Sequence, residues 1–388
     1  MVNFQYHNPA RIIFGEHSEQ EIQALLAQYK ATSLLLVYSG DFIKDLGIWS
    51  TVKEACAQLK IDFYECDKVV PNPRIELVRE LVTLGKEKKV DFILAVGGGS
   101  AMDTAKAVAL GIPYEKDVWD FFTGNATPIE AIPVGAITTL PASGSETSNC
   151  SIISSDLMKL GCEADCIIPK FAIMNPTFTM GLPAYQTSCG CADILSHLLE
   201  RYFSDTPNVD TTDFMIEGAI KAVMLNSMRL IKDPSNYNAR AEIQWLASIA
   251  HNGILDTGRC ADWGSHRIEH ELSAQYGITH GEGMAVVLIA WSKYMSVHKP
   301  EKLAQLANRV FGIDYHDHTL SEMALLLADE LTIFFKNLNL RTTLTEMNIT
   351  DEHFQVMANR ATNQNSSTVG HYLPLHTEEF ISILKLAL

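Results

Sequence analysis

The change of pattern near residue 180 constrains the fold more than any other feature of this 388-residue sequence. Before it, short apolar runs such as "SLLLVY" and "FILAV" alternate with helical stretches such as "IELVRELVTLGKEK". After it, long helical stretches follow one another. Alternating strands and helices predict a parallel sheet with helices on both faces. We therefore predict an α/β domain over residues 1–180 and an all-helical domain over residues 181–388, sharing a ligand cleft.

Composition and charge exclude several classes of protein. Apolar residues make up 47% of the chain and charged residues 20%, which is typical of globular proteins. The net charge of -16 argues against a nucleic-acid partner. No apolar run approaches the ~20 residues that span a bilayer, and the N-terminus lacks a signal-peptide pattern. The eight scattered cysteines are expected to be reduced. We expect a soluble, cytoplasmic protein without a membrane partner.

A glycine-rich turn, "GGGSAMDTAK", follows the strand "FILAV" and opens a helix. Its backbone can approach a ligand closely, and the free N–H groups at a helix start suit an anion. The turn contains Gly97, Gly98, Gly99, Ser100, Asp103 and Lys106. The spacing matches neither the usual dinucleotide fingerprint nor a P-loop, so tight packing alone is an alternative. Asp103 can equally be a carboxylate that offsets the helix dipole.

A second loop of small residues, "TTLPASGSETS", follows the strand "VGAIT" and spans residues 138–148. Hydroxyl groups and a glycine at the end of a strand fit the crevice where α/β sheets bind ligands. A plain polar loop is the alternative, and composition alone does not decide between the two.

Histidines and a carboxylate occur at helical spacing in the second half. Asp193 and His197 are four residues apart, as are His266 and His270, so each pair shares one helix face. Imidazole and carboxylate ligands suit Zn²⁺ or Fe²⁺ better than Mg²⁺ or Ca²⁺. A set that leaves one coordination position open could polarise a substrate oxygen. We therefore interpret these residues as a metal site.

One further histidine extends this set, and another is left out of it. Gly277 suits the end of the second helix, after which His280 can face the earlier histidines. His251, in "SIAHNG", is interpreted as an ordinary core or surface residue.

These stretches, taken in order, resemble the iron-containing (group III) alcohol dehydrogenases, in particular the butanol dehydrogenase and NADPH-dependent aldehyde reductase branch. The resemblance covers essentially the whole chain, and its last stretch is the most specific. It rests on "FGE", "VVPNP", "AVGGGSAMDTAK", "TLPASGSETS", "NPTFTMGLP", "CADILSHLLE" and "DWGSHRIEHELSAQYGITHGEGMA".

The resemblance implies an N-terminal Rossmann-like parallel-sheet domain and a C-terminal helical domain, as in dehydroquinate synthase-like proteins. It implies hydride transfer between NAD or NADP and a small aldehyde or primary alcohol that a metal, Fe²⁺ or Zn²⁺, polarises. It also implies a homodimer. The physiological substrate and the choice between iron and zinc stay open.

The resemblance also implies site residues. The metal ligands would be Asp193, His197, His266 and His280, with His270 beside the metal as a proton relay or a contact to the nicotinamide. The pyrophosphate would lie on Gly97, Gly98, Gly99 and Ser100, with Asp103 nearby. The residues flanking the cofactor would be Thr138, Thr139, Leu140, Ser143 and Ser145. Lys159 matches a cofactor-contacting lysine, within a variable segment.

The loop after the first predicted strand departs from the family pattern. NADP-using relatives resemble "YGGGS", whereas this chain has "YSGDFIK". Asp41 favours a ribose 2′-OH over a 2′-phosphate, and Phe42 removes a hydroxyl that could bind phosphate. Gly40 and Lys44 still permit phosphate. The sequence therefore leaves NAD and NADP both open.

Three other functions are alternatives. A lyase of the dehydroquinate synthase type would use NAD without net redox change, but it needs a basic phosphate-binding cluster, and only Arg267 lies within the ligand motif. A metal-dependent hydrolase would leave the glycine turn without a role. A non-catalytic metal-binding protein would be indicated by a missing ligand, yet all four are present.

Overall fold

The computed structural model describes residues 1–388, which form two compact units. The α/β unit comprises His7–Leu182. The helical unit comprises Pro183–Leu388 together with Met1–Tyr6. None of the helices combines the length and the hydropathy needed to cross a bilayer.

A six-stranded parallel sheet forms the centre of the α/β unit, with the strand order β1-β8-β5-β4-β2-β3. The remaining two strands, β6 and β7, form an antiparallel hairpin. The parallel sheet confirms the sequence prediction, whereas the hairpin was not predicted. The strands are β1 (Arg11–Phe14), β2 (Ser33–Tyr38), β3 (Asp62–Cys66), β4 (Phe92–Gly97), β5 (Val134–Thr138), β6 (Cys150–Ser155), β7 (Met158–Glu163) and β8 (Phe171–Met174).

Helices cover both faces of this sheet, which explains why its central strands β2, β4 and β5 are buried at every position and consist mainly of apolar residues. In β2, Leu34 and Leu36 belong to one buried core and Leu35 and Val37 to another on the opposite face. The helices of the unit are α1 (Ile22–Gln28), α2 (Phe42–Asp45), α3 (Ile48–Leu59), α4 (Ile75–Lys88), α5 (Gly99–Gly111) and α6 (Trp119–Phe122).

The helical unit packs its helices around one large apolar core. Thr319 and Glu322 form a capping box at the start of one helix. Its helices are α7 (Ala184–Tyr202), α8 (Asp210–Lys232), α9 (Tyr237–His251), α10 (Gly264–Tyr276), α11 (His280–His298), α12 (Glu301–Phe311), α13 (Leu320–Asn337), α14 (Phe354–Ala361) and α15 (Thr377–Leu386).

Two glycines place α11 against its neighbours. Gly277 ends α10 with φ of 67°, a left-handed conformation that favours glycine, so the chain turns back as predicted. A Cβ at Gly281 would lie 2.1 Å from the carbonyl oxygen of Cys189 on α7. Only glycine therefore permits this approach of α11 to α7, which brings His280 close to Asp193.

Candidate metal and cofactor sites

Three side chains from three helices converge in the helical unit. Asp193 lies on α7, His266 on α10, and His280 is the first residue of α11. Their ligand-type atoms all lie within 4.8 Å of one another, and His280 Nε2 is 3.3 Å from Asp193 Oδ1. His266 Nε2 is buried without a hydrogen-bond partner. Because such an atom is costly to bury alone, this geometry fits a metal cation that accepts its lone pair.

His197 lies one helical turn after Asp193 and adjoins this cluster. Its ring stacks on that of His266, with centroids 4.9 Å apart and an interplanar angle of 23°, and its Nδ1 is buried without a hydrogen-bond partner. Burial, together with the neighbouring His251 and His266, lowers the pKa of His197 well below its usual value. The ring is therefore neutral, the form that can ligate a metal.

Two buried glutamates, which the sequence interpretation missed, contact the Nδ1 atoms of His266 and His280. Glu200 Oε1 lies 2.9 Å from His266 Nδ1 and also accepts from the Ser265 hydroxyl. Glu269 contacts His280 Nδ1. A carboxylate on Nδ1 fixes the tautomer that leaves the Nε2 lone pair for a metal, and it increases the basicity of the ring. The site thus contains the supporting carboxylates that metal-bound histidines usually have.

The environment of Glu200 keeps this carboxylate charged. Burial alone would raise its pKa, but the hydrogen bonds from His266 and Ser265 outweigh burial and hold the pKa below its usual value. A sequence signal for both glutamates exists, because the motif Ser-His-x-x-Glu occurs twice, as "SHLLE" and "SHRIE". An i, i+3 spacing places each glutamate on the same helix face as its preceding histidine.

Two more histidines surround the cluster. His270 is half-buried, with its ring centroid 6.3 Å from that of His266 and 5.7 Å from that of His280. The ring of His251 lies 4.5 Å from that of His197. The interpretation of His251 as an ordinary core or surface residue stays a prediction. Its position beside His197 could not be read from the sequence, because the residue lies on α9, which no spacing rule links to α7.

The glycine turn and the second loop pack against each other in the α/β unit. Gly97 ends β4 with φ of 150°, and its carbonyl accepts the N–H of Thr139 at 3.0 Å. A Cβ on Gly99 would lie 2.5 Å from Ser143 Oγ, and one on Gly98 would lie 3.2 Å from Leu140 Cβ. The two predicted cofactor segments therefore form one surface, in which the glycines leave the backbone accessible.

Two buried charges beneath this surface fix the loop. Asp103 Oδ1 accepts from the Ser145 hydroxyl at 2.7 Å. Lys106 Nζ donates to Ser145 Oγ at 2.9 Å and to the carbonyls of Ser148 and Cys150 at 2.8 and 2.9 Å. Burial raises the pKa of Asp103 to about 6 and lowers that of Lys106 to about 8. The Asp103 carboxylate is thus buried against the loop.

Three remaining predicted cofactor residues lie on α5, at the end of β5 and on β7 of the hairpin. Ser100 is in the first turn of α5, and Thr138 is the last residue of β5, where it pairs with Gly97. Lys159 is buried on β7, and its charge helps to lower the pKa of Asp103 against the larger effect of burial.

The loop after β2 contains Gly40 and Asp41. Gly40 has φ of 74°, and the Asp41 carboxylate is 76% exposed and accepts from Lys44 Nζ at 2.6 Å. Because β2 and β4 are adjacent and parallel, this loop and the glycine turn leave the same edge of the sheet. This is the edge at which open α/β sheets bind dinucleotides.

Comparison with known proteins defines the class. The sequence model described as iron-containing alcohol dehydrogenase matches residues 9–176, and that of the Fe-containing alcohol dehydrogenase family, C-terminal, matches residues 187–388. The chain therefore belongs to the iron-containing alcohol dehydrogenase family.

Similar individual proteins include butanol dehydrogenases and an aldehyde reductase. The chain is 36% identical over 390 residues to a probable NADH-dependent butanol dehydrogenase 1 of Bacillus subtilis (strain 168), and the match covers 100% of both chains. It is 34% identical over 320 residues to the NADPH-dependent aldehyde reductase YqhD of Escherichia coli (strain K12), covering 81% of each. The crystal structure of NADH-dependent butanol dehydrogenase A from Thermotoga maritima superposes with a TM-score of 0.95 at 34% identity, covering 100% of this chain and 99% of that one. These findings confirm the family and the fold class expected from the sequence.

Proposed function

We propose that this protein is a metal-dependent, NAD(P)-linked alcohol dehydrogenase that also acts as an aldehyde reductase on small aldehydes and primary alcohols. One observation carries the proposal: Asp193, His266 and His280 present ligand-type atoms within 4.8 Å of one another. Two buried glutamates support the imidazoles of this cluster. The names of the relatives, butanol dehydrogenase and aldehyde reductase, agree with this reaction.

The proposed metal ligands are Asp193, His197, His266 and His280. We propose Fe²⁺ as the resident ion because the family is named for iron, although the same ligands suit Zn²⁺. The bound cation would polarise the carbonyl of the aldehyde, and the reduced nicotinamide would supply the hydride. Glu200 and Glu269 would hold the rings of His266 and His280 in the ligating tautomer.

His270 is the proposed proton donor to the alkoxide product. Its half-buried ring lies beside both His266 and His280, at centroid distances that permit a short relay through water. Replacing His270 with Asn should lower turnover and change its pH profile while the metal content stays that of the unaltered protein. If the variant instead lost its metal in proportion to its turnover, His270 would be identified as a ligand.

The proposed cofactor site is the surface formed by the glycine turn and the second loop. Its proposed residues are Gly97, Gly98, Gly99, Ser100, Asp103, Thr138, Thr139, Leu140, Ser143, Ser145 and Lys159, with Gly40 and Asp41 beside the adenosine ribose. N–H groups at the start of α5 would meet the pyrophosphate. We propose NADH as the preferred form, because the exposed Asp41 carboxylate repels a 2′-phosphate and accepts from a 2′-OH.

The reaction class is tested with butyraldehyde, following the absorbance of the reduced nicotinamide with metal-loaded protein, chelated protein, and chelated protein after Fe²⁺ is restored. We expect oxidation of the nicotinamide that chelation abolishes and Fe²⁺ restores. Unchanged turnover after the metal has been removed, as verified by elemental analysis, would refute the proposed site. A parallel series with Zn²⁺ distinguishes the two ions.

The cofactor preference is tested with Asp41→Ser. We expect the ratio of kcat/KM for NADH to that for NADPH to fall by about tenfold or more, because a like-charge repulsion is removed. Asp45→Ser, an exposed carboxylate on the neighbouring helix α2, serves as the matched control and should leave the ratio unchanged. An unchanged ratio in Asp41→Ser would show that Asp41 does not contact the ribose.

We further propose a homodimer in the cytoplasm. Strand β1 lies at one edge of the parallel sheet, and sheet edges readily pair with another chain. All eight cysteines are free thiols, as in reducing compartments. Light scattering after size exclusion tests the dimer, and cell fractionation tests the location.

A further inference from the structure

Trp263 has a backbone conformation that is unfavourable for its side chain. It precedes α10 with φ of 62° and ψ of 10°, in the left-handed region. The other non-glycine residues with positive φ are all asparagine, aspartate, lysine, histidine or glutamine. A bulky aromatic residue in this region is a strained outlier, and such outliers cluster at functional sites.

The flanking residue Asp262 holds the backbone in this conformation. Its carboxylate accepts the N–H groups of Gly264, His371 and Tyr372 at 3.1, 2.8 and 2.7 Å. Its own N–H donates to the Glu200 carbonyl at 3.0 Å. These bonds attach the start of α10 to α7 and to the segment before α15, so Trp263 cannot relax without breaking them.

The indole ring lies against the imidazoles of the proposed metal site. Its centroid is 5.1 Å from that of His266, in an edge-on arrangement, and 6.2 Å from that of His197. The His251 ring lies 5.7 Å away. Both proposed ligands therefore contact one rigid side chain, which limits rotation about their χ angles.

Arg201 links this ring to the helix that holds Asp193 and His197. Its guanidinium lies 4.8 Å from the indole centroid, within cation–π range. The same group donates to the His197 carbonyl at 3.1 Å and to Asp256 at 2.9 Å, and it is 2% exposed. Arg201 therefore fixes the indole relative to α7 from one side, while Asp262 fixes its backbone from the other.

We propose that Trp263 is a positioning residue for the metal site: its ring holds His197 and His266 in ligating orientation, and its strained backbone is a stability cost retained for that purpose. The inference rests on the proposed metal site but adds a residue that does not touch the metal. The proposal requires that metal affinity depend on whether the ring is present, and that protein stability depend on whether the backbone at residue 263 is strained. Comparing an alanine with a glycine substitution at Trp263 separates the two effects.

Trp263→Ala and Trp263→Gly both remove the ring, but only glycine relieves the strain, because it tolerates positive φ. Trp263→Phe keeps an aromatic ring. Trp245→Ala, an exposed tryptophan on α9 of the same unit, is the matched control. Metal affinity is measured as the Kd for Co²⁺ by calorimetry on metal-free protein, and stability as the Tm of the same samples.

We expect Kd for Co²⁺ to rise by about 10–100-fold in both Trp263→Ala and Trp263→Gly, as for loss of other residues that support metal ligands. Trp263→Phe should stay within about threefold and Trp245→Ala unchanged. The Tm of Trp263→Gly should exceed that of Trp263→Ala by about 2 °C or more.

If Trp263→Gly bound Co²⁺ more tightly than Trp263→Ala, metal affinity would depend on protein stability and not on the ring. That result would overturn the proposal. So would unchanged affinity in both variants, or an equal loss in Trp263→Phe. Failure of the unaltered protein to bind Co²⁺ would refute the metal site itself, which this experiment distinguishes from failure of the Trp263 proposal.

Discussion

The two candidate sites are built from different parts of the chain. The metal cluster of the helical unit consists of side chains, two of which are supported by glutamates: His266 by Glu200 and His280 by Glu269. The cofactor surface of the α/β unit consists mainly of backbone, made accessible by Gly98 and Gly99. Side-chain sites fail when a ligand or its partner is removed, whereas backbone sites fail when an atom is added.

The buried charged residues of the two sites also have different partners. Glu200 is kept ionised by donors from His266 and Ser265, which are themselves part of the site. Lys106 instead donates to two backbone carbonyls and two serine hydroxyls in and beside the loop that it holds. Charge in the helical unit thus serves the proposed ligands directly, and charge in the α/β unit sets the shape of a loop.

The largest expected effect is that of His280→Ala. We expect turnover to fall by at least about 1000-fold and the metal to be lost, because one ligand and the partner of Glu269 disappear together. NADH binding, measured by fluorescence titration, should be retained because the cofactor surface lies in the other unit. Loss of NADH binding as well would show that the two sites are not independent.

Adding a single carbon at Gly281 should damage the metal site without touching a ligand. The new Cβ would meet the Cys189 backbone at 2.1 Å, so α11 must move away from α7 at a cost of about 1–3 kcal/mol. We expect Gly281→Ala to lower both Tm and metal content. Gly218→Ala, on α8 with nothing within 4 Å of its Cβ, is the matched control and should be neutral or stabilising. Normal metal content in Gly281→Ala would contradict the close approach of the helices.

The pH dependence of stability should show the buried Asp103. Its pKa is about 6 in the folded protein, against ~3.9 when unfolded, so the folded state binds more protons between these values. Its contribution to stability is therefore fully present below pH ~4 and is lost as pH rises through 6, by at most about 3 kcal/mol.

Asp103→Asn should remove this loss. The free energy of unfolding of the variant minus that of the unaltered protein, measured by urea unfolding of metal-free samples, should increase from pH 4 to 6. Asp45→Asn, an exposed aspartate, provides the baseline. If the difference in free energy of unfolding did not change with pH, the pKa of Asp103 would not be raised in the folded protein.

The smallest of the four effects is expected for Glu269→Gln, which keeps the shape of the side chain and removes its charge. Metal affinity should fall by about 10–100-fold, because the outer nitrogen of His280 loses its anionic partner. Glu271→Gln, on the same helix but paired with Arg360, is the control and should change metal affinity little. Equal effects of the two substitutions would mean that general charge, and not the contact to His280, sets the affinity.

Much of the architecture could be predicted from local pattern. The apolar runs of β2 and β4 and the periodicity of α4 are properties of neighbouring residues, and the structure confirms them together with the parallel sheet. The β6–β7 hairpin escaped prediction because its strands mix polar and apolar residues without a clear alternation.

The sequence by itself determined which residue types are available at helical spacing, such as Asp193 with His197, because 3.6 residues per turn is fixed by local geometry. Only the tertiary structure decided that Glu200 contacts His266, Glu269 contacts His280, and His251 lies beside His197. These pairs join different helices, and their distances depend on how closely the helices pack. The approach of α11 to α7, which brings His280 to Asp193, depends in addition on the missing side chain at Gly281, which no periodicity reveals.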